Sequence, residues 1–275
     1  MSVAKSEPLW QRRLKNIKTN VDTIRFATDH DLAQNQEWCE VIFKNGTRRR
    51  YLFHNYAEVY RTPGLYEKLF YERLRCSSPS RTVRLLEELV HDFELPMEGL
   101  RVLDVGAGNG MVGDELRVRR VRTIVGVDII PEAKEATNRD RPGVYNEYFV
   151  TDLTDLPEHL EKRLREYNFN CLTTVAALGF GDIPPAAFIK ALDLIETPGW
   201  VAFTIKEDFL HERDSSGFSK LIRYLNKNEL MQVQAYRRYR HRYSMTGKPL
   251  YYVIMVARKL RDVPDQLFPD VLDLR

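Results

Sequence analysis

An α/β fold is predicted by three features of the sequence. Strand-like and helix-like segments alternate from Leu100 to about Asn228, a glycine-rich turn directly follows the first of those strands, and two long strand candidates near the carboxyl end are joined by only five residues. The alternation makes five strands parallel, since each return to the same end of a sheet consumes a crossover helix. The strand-like runs are RVLDV, TIVGVDI, YNEYFV, FNCLTTVAA and WVAFTI, apolar or β-branched and poor in charge, as befits a sheet covered on both faces. Segments near 111–119, 131–140, 156–166, 184–196 and 217–227 are the helices between and after them. Beyond Asn228, LMQVQAYRRYRHRY and PLYYVIMVARK are separated by SMTGK, too short for a crossover, so the pair must be antiparallel. The expected sheet has seven strands, mostly parallel.

Upstream of Leu100 the elements are shorter. Residues 1 to about 36 mix charges with isolated apolar residues and read as partly helical, without a sharp functional signal. WCEVIF (38–43) and RRRYLF (48–53) flank Asn45-Gly46, a dipeptide that takes the left-handed angles of a tight turn, and read as an antiparallel hairpin. HNYAEVYRTPGLYEKLFYERL breaks at Pro63-Gly64; after the break, Leu65 with Leu69 and Tyr66 with Phe70 recur at helical spacing. Ser78-Pro79-Ser80 supplies a helix start, and TVRLLEELVHDFEL is an amphipathic helix. The chain thus divides into an N-terminal extension with a β-hairpin and a Tyr-rich helical lid, residues 1–78, and an α/β domain, residues 79–275.

Composition narrows the function classes. At 275 residues, 43% hydrophobic and 29% charged, the chain reads as an ordinary cytoplasmic protein. No apolar run approaches the ~20 residues of a spanning helix, and MSVAKSEPLWQRRLKNIK lacks the apolar core of a secretory leader. Cys39, Cys76 and Cys171 are odd in number and in no C-x-x-C pair, so they read as reduced core thiols. No clustered His and acidic residues stand at metal-ligand spacing, and no metal is expected. With 42 basic against 39 acidic side chains, net charge +3, the chain lacks the excess that binds phosphate backbones on charge alone.

The stretch VLDVGAGNGMVGDEL (102–116) overlays two glycine patterns. From Asp104 it reads D-x-G-x-G-x-G. From Gly108 it reads G-x-G-x-x-G, with Asp128 twenty residues on, where a dinucleotide-binding unit keeps its ribose acid. A dinucleotide domain continues into a second parallel half and a substrate domain, whereas this chain turns to an antiparallel pair. The first register also leaves Asp104 at the carboxyl end of its strand, where ligands bind in open α/β sheets, and not as an unpaired carboxylate inside it.

Asp104-Val-Gly106-Ala-Gly108-Asn-Gly110, Asp128 closing TIVGVDI, Asp152 in FVTDLTDLP, and Val175-Ala176-Ala177 after the fourth parallel strand follow one another in a telling order. Over roughly residues 80–258 they resemble the class I S-adenosylmethionine-dependent methyltransferases, whose Rossmann-like sheet is likewise seven-stranded with an antiparallel C-terminal pair. The resemblance implies that Gly106, Ala107, Gly108 and Gly110 let the cofactor's amino-acid portion approach the backbone, and that Asp104 favours its ammonium group. It implies further that Asp128, with Ile129 beside it, accepts the ribose hydroxyls. Asp152 is then near the adenine amino group with the Leu153 amide, and Ala176 faces the sulfonium. VAALGFGDIPPAAFIKALDLIETPGWVAFTIKEDFL adds a weaker likeness to methyltransferases of the Williams-Beuren-region type and to uncharacterised bacterial relatives, whose substrates do not transfer with it.

Methyl transfer needs little acid–base machinery, because positioning supplies most of the rate. Candidates for a base on a hydroxyl or amine acceptor are Lys206, Glu207, Asp208 and His211 after the fifth parallel strand, Asp182 after the fourth, and His54 in the extension. Tyr60, Tyr66 and Phe70 form either a lid over the acceptor or the core of a covering helix. The expected partner is a small-molecule acceptor. RNA or protein is the alternative, on the strength of TRRRY (47–51), RVRRVR (117–122) and YRRYRHRY (236–243); in the last, period-two alternation sends Arg238, Arg240 and Arg242 to one face and Arg237, Tyr239 and His241 to the other. An NAD-dependent oxidoreductase is the lesser alternative. Oligomeric state has no signal in the sequence.

Overall fold

The computed structural model describes residues 7–27, 32–178, 182–211 and 216–264. Two sheets are present: a small antiparallel sheet in the extension and a seven-stranded sheet in the order β6-β5-β4-β7-β8-β10-β9. The large sheet holds β4 (Arg101–Val105), β5 (Thr123–Asp128), β6 (Glu147–Val150), β7 (Cys171–Leu178) and β8 (Gly199–Lys206) in parallel. β10 (Pro249–Lys259) runs antiparallel to β8, and β9 (Met231–Tyr243) closes the edge against β10. This is the expected α/β architecture. The strand order reverses between β4 and β7, which opens a crevice at their carboxyl ends.

Helices cover both faces, because each crossover is amphipathic. On one side, β-strand residues such as Leu103, Val125, Leu172 and Phe203 pack with Phe188, Leu192, Phe218 and Leu225. On the other, Val102, Ile124, Trp200 and Ile254 pack with Leu86, Val90 and Leu116. The helix that begins at the predicted Ser78-Pro79 start is α3 (Ser78–Asp92); Pro79 is tolerated there because the first turn has no intrahelical acceptor for its missing N–H. No helix among the described residues is long and apolar enough to cross a membrane.

Three features of the extension depart from expectation. First, its sheet has three strands: β1 (Val21–Phe26) pairs with the predicted hairpin β2 (Trp38–Phe43) and β3 (Arg48–Leu52) in the order β1-β2-β3. A bulge between Val21 and Thr23 breaks the alternation of β1, so Val21 and Ile24 are both buried three residues apart. Second, only Gly46 takes left-handed angles in the hairpin loop, at φ +84°; Asn45 instead accepts the Thr47 N–H with its side chain, 3.0 Å. Third, the segment after Pro63-Gly64 is a π-helix over Glu67–Arg73, following α2 (Tyr56–Arg61). Its wider turn carries Glu67 inward together with Leu69 and Phe70.

A fourth correction concerns β9. Arg240 pairs with Tyr251 and Arg242 with Leu250, so His241 is an extra residue, a bulge. The period-two pattern predicted for YRRYRHRY holds from Arg238 to His241, the insertion then turns Arg242 inward against it, and Arg237 is exposed although the alternation assigns it to the face of Tyr239. Tyr239, His241 and Arg242 all face inward, while Tyr236, Arg237, Arg238 and Arg240 are exposed. The helix α4 (Met111–Val118), which follows the glycine loop, and α5 (Pro131–Asp140) complete the set of elements around the crevice.

Candidate functional site

A cavity of about 500 Å³ opens over the carboxyl ends of β4, β5 and β7 and continues under the extension. Its floor is the loop Gly106–Asn109. The loop is held at every polar atom of Gly108: the N–H donates to Asp128 Oδ2 (2.8 Å), and the carbonyl accepts from Thr137 Oγ1 (2.9 Å) and Tyr148 Oη (2.8 Å). Gly106 N–H and Ala107 N–H both donate to the Val127 carbonyl. Gly108 has φ +53°, and a Cβ there would lie 2.5 Å from the Tyr60 hydroxyl; a Cβ on Gly106 would lie 2.8 Å from Ala177 Cβ. Side chains at these positions would fill the space above the loop.

Asp128 ends β5 beside this loop. Each of its oxygens takes one main-chain N–H, from Gly108 and, at 3.0 Å, from Ile130, and its carboxyl is pushed upward by burial. A carboxylate offers about four lone-pair sites, so acceptor capacity remains on both oxygens. Ile129 extends an apolar, 57% exposed side chain beside it. Asp152 caps the short turn after β6 by accepting the Thr154 N–H at 2.8 Å; it lines the cavity with Leu153, which is buried. In β7, Ala176 lines the cavity at φ +59°, an angle that costs a non-glycine residue about 1–3 kcal/mol, with its N–H bound to Thr204 Oγ1 at 2.7 Å.

Two residues of the glycine motif lie elsewhere. Asp104 is buried at 1% exposure and does not line the cavity; its oxygens accept from Tyr145 Oη (2.6 Å) and Thr173 Oγ1 (2.7 Å). Burial outweighs those hydrogen bonds and pushes its carboxyl up to about 7. Gly110 likewise is outside the lining, packed toward Val144 and Arg141.

Among the titratable candidates, His54 and Asp182 are brought together on the cavity wall, Nδ1 to Oδ2 3.8 Å, beyond hydrogen-bond reach. Burial, then the charge of Arg242, lowers His54 to about 4, which leaves it neutral; burial, then Asp128, raises Asp182 to about 6. Lys206, Asp208 and His211 do not line the cavity. Lys206 pairs with Asp208 at 2.6 Å, Glu207 pairs with Arg238, and Asp208 and His211 are exposed.

The extension roofs the cavity with rings. Tyr60 and Tyr66 lie 5.2 Å apart, Tyr66 and Phe70 4.8 Å, and Tyr56 and Tyr60 6.1 Å. Tyr60 and Phe70 are buried and Tyr66 half-buried, and all four line the cavity. The rings are core for the extension and at the same time wall for the cavity. Residues that sequence reasoning did not assign to the site also line it: Gln34, Cys76, His241, Arg242 and Tyr252. No local signal marks them, since Gln34 meets Tyr252 (3.1 Å) and Arg242 meets Glu37 (2.6 Å) across more than two hundred residues of sequence. Cys39 and Cys171 are buried free thiols, whereas Cys76 is half-buried at the cavity.

The basic runs are largely engaged in structure. Arg117 donates to the carbonyls of Val144, Val121 and Arg122 and to Asn146, and Arg119 holds Glu87 and Glu115. Arg50 covers Trp38, Arg237 pairs with Glu88, and Arg238 holds Glu207 while stacking on Tyr251 at 3.8 Å.

Residues 73–250 match the profile of a family described as a methyltransferase domain. No curated protein matches the chain. Among solved structures, it is similar to magnesium protoporphyrin IX methyltransferase from Synechocystis with bound SAM, at 15% identity over 66% of this chain and 79% of that one, TM-score 0.46. It is similar also to a SAM-dependent methyltransferase from Methanosarcina mazei (14%, 63% and 98%, 0.45) and to a protein from Thermoplasma acidophilum (18%, 65% and 88%, 0.44).

Proposed function

The chain belongs to the methyltransferase domain family matched over residues 73–250, and from that premise we propose that it moves a methyl group from S-adenosylmethionine to a small-molecule acceptor by in-line displacement. The observation that carries the cofactor is the donor set of the cavity: an open glycine backbone flanked by two carboxylates, Asp128 and Asp182, with no cation paired to Asp128 among the described residues. S-adenosylmethionine brings a sulfonium and an ammonium into such a site, and a cation beside paired acids relieves their mutual repulsion.

In this reading Asp128 accepts the ribose hydroxyls with its remaining lone pairs, while Ile129 and Leu153 offer apolar surface to the adenine beside Asp152. The backbone from Gly106 to Gly108 passes along the amino-acid portion, and Ala176 and Ala177 border the methyl group. When bound, the cofactor supplies an already activated methyl group. The protein's share is to orient the acceptor and exclude water, which the ring wall of Tyr56, Tyr60 and Tyr66 does.

A small acceptor is supported by the roofed cavity. Calorimetry with S-adenosylmethionine and with NAD tests the cofactor; binding of NAD alone overturns it. Asp128→Ala is expected to weaken S-adenosylmethionine binding by at least about 10-fold, because each hydrogen bond to a charged group is worth roughly 1.5–3 kcal/mol. Steeply salt-dependent, tight binding of RNA would instead favour a nucleic-acid acceptor.

A further inference from the structure

In the cofactor reading above, residues at the carboxyl ends of the parallel strands hold the cofactor, and the half of the cavity under the extension has no assigned occupant. Its walls are Tyr56, Tyr66, Phe70 and Tyr252, and its polar groups include His241 and Arg242. His241 is fixed on two sides. Its Nδ1 lies 2.6 Å from Ser78 Oγ, which lies 2.6 Å from Tyr239 Oη, and its ring stacks on Tyr252 with centroids 4.2 Å apart at 29°. With Nδ1 engaged in that buried chain, the Nε2 edge is what the imidazole has left to present to the cavity it lines. The pattern is that of a base oriented by a third group.

Arg242 gives the same half its electrostatic sign. Arg242 lines the cavity, whereas its counter-ion Glu37, 2.6 Å away and 2% exposed, does not and is held from behind by the Met245 N–H. The cavity therefore meets the positive end of a sealed ion pair. That field favours a group that becomes negative as it loses a proton over a neutral aromatic amine, which does not. Burial, and after it the charge of Arg242, keeps His241 neutral, and a neutral imidazole whose Nδ1–H donates to Ser78 Oγ accepts a proton at Nε2.

We propose that this inner half is the acceptor subsite, that it takes a planar aromatic acceptor bearing a hydroxyl group, and that His241 receives the hydroxyl proton. The proposal rests on the methyltransferase reading above. In the step, the acceptor oxygen forms a bond to the methyl carbon while the carbon–sulfur bond breaks and leaves its electron pair on sulfur. The hydroxyl proton passes to His241 Nε2, and from there to solvent after product leaves. One positive charge is lost at sulfur and one gained at imidazole, so the total charge of the site is unchanged; the imidazolium is disfavoured by burial and by Arg242, and so passes its proton on readily. Ser78 is a positioning residue, and the rings of Tyr56, Tyr66 and Phe70 bound the acceptor's plane.

The test uses two planar probes of equal shape, 4-methylumbelliferone with a hydroxyl and 7-amino-4-methylcoumarin with an amine in its place. Calorimetry with S-adenosylmethionine comes first: failure there removes the methyltransferase reading, whereas cofactor binding without binding of the phenol removes this proposal alone. Fluorescence titration is expected to show the phenol binding at least about 10-fold tighter than the amine, a difference worth roughly 1.4 kcal/mol. Equal or tighter binding of the amine overturns the hydroxyl class.

Methyl transfer to the phenol is read as loss of its phenolate fluorescence. His241→Gln is expected to lower kcat by about 100-fold, as removal of a general base does. Phenol affinity and S-adenosylmethionine affinity should stay within about 3-fold, which also certifies the fold. Ser78→Ala is expected to lower kcat by about 10-fold with KM unchanged, as when an imidazole loses its orienting partner. An unchanged kcat in His241→Gln overturns the base assignment.

Discussion

Arg141 and Glu67 meet 2.8 Å apart with neither side chain exposed to solvent, and the contact joins the extension to the glycine loop. The same guanidinium donates to the Asn109 carbonyl (3.1 Å) and to Asp114 (2.9 Å), while Asn109 Nδ2 donates to Glu67 (2.8 Å). Arg13 of the helix α1 (Leu9–Asn16) reaches Asp114 from the other side at 2.5 Å. Two cations and two carboxylates thus balance, three of them buried and Arg13 partly exposed at the rim. Breaking a buried pair strands a charge, which typically costs about 3–5 kcal/mol. Arg141→Met is expected to lose that much in denaturant unfolding and to weaken S-adenosylmethionine binding, because the Asn109 end of the loop loses its anchor. A loss below about 1 kcal/mol would show that Glu67 and Asp114 find other partners.

Gly108 and Tyr60 form a second such joint. Gly108→Ala adds a methyl group 2.5 Å from the tyrosine hydroxyl but 3.4 Å from Cζ, so the clash is with the hydroxyl alone. The variant is expected to fold, at a cost of about 1 kcal/mol for alanine at a positive φ, and to bind S-adenosylmethionine at least about 10-fold more weakly. Adding Tyr60→Phe removes the clashing atom and should recover part of that affinity. Calorimetry on the single and double variants checks it; no recovery means that the methyl group itself obstructs the ligand.

Tyr60 and Tyr66 are separable by the same geometry. Tyr60 stands over the glycine loop, whereas Tyr66 packs against Phe70 and Tyr71 on the extension side of the cavity. Tyr66→Ala is expected to reduce acceptor turnover by about 10-fold with S-adenosylmethionine affinity nearly unchanged; Tyr60→Ala is expected to reduce both. Equal effects of the two substitutions on cofactor affinity would remove the division.

What the sequence made legible was whatever depends on near neighbours. The alternation of parallel strands, the short SMTGK link and the D-x-G-x-G-x-G turn each express local constraint, and the β4–α4 unit formed where they pointed. Gly113, the last glycine of the G-x-G-x-x-G spacing, stands where α4 packs closely: a Cβ there would lie 2.9 Å from Tyr145 Cζ. The acceptor half was not legible. Glu37 and Arg242 are 205 residues apart, and the bulge that turns Arg242 inward beside His241 is a single inserted residue that a period-two reading cannot register. Asp182 and His54 were each visible as candidates, but only the fold brings them onto one wall while leaving Lys206, Asp208 and His211 off it.

Asp104 gives the last expectation, because its position and its titration point the same way. The resemblance made it a partner of the cofactor's ammonium group, yet it lies beneath the loop, bound to Tyr145 and Thr173. Its carboxyl titrates at about 7 in the folded protein against an ordinary value of 3.8. Between those values the folded chain keeps a proton that the unfolded chain has released. Proton uptake is thus larger in the folded state, and the unfolding free energy must fall as pH rises through that window. The contribution of Asp104 is fully favourable below about pH 4, declines from there to about pH 7, and is level above it. Asp104→Asn keeps the shape without the ionisation. The difference in stability between variant and wild type is therefore expected to grow in the variant's favour from pH 4 to 7, by an amount on the order of a few kcal/mol at most, since one pKa unit is worth about 1.4 kcal/mol. Urea unfolding at pH 5 and pH 8 measures it. Calorimetry on the same variant separates the two roles: S-adenosylmethionine affinity within about 3-fold of wild type fits a buttress beneath the loop, whereas a loss beyond 10-fold, worth about 1.4 kcal/mol or more, means that the ammonium group reaches Asp104 after all.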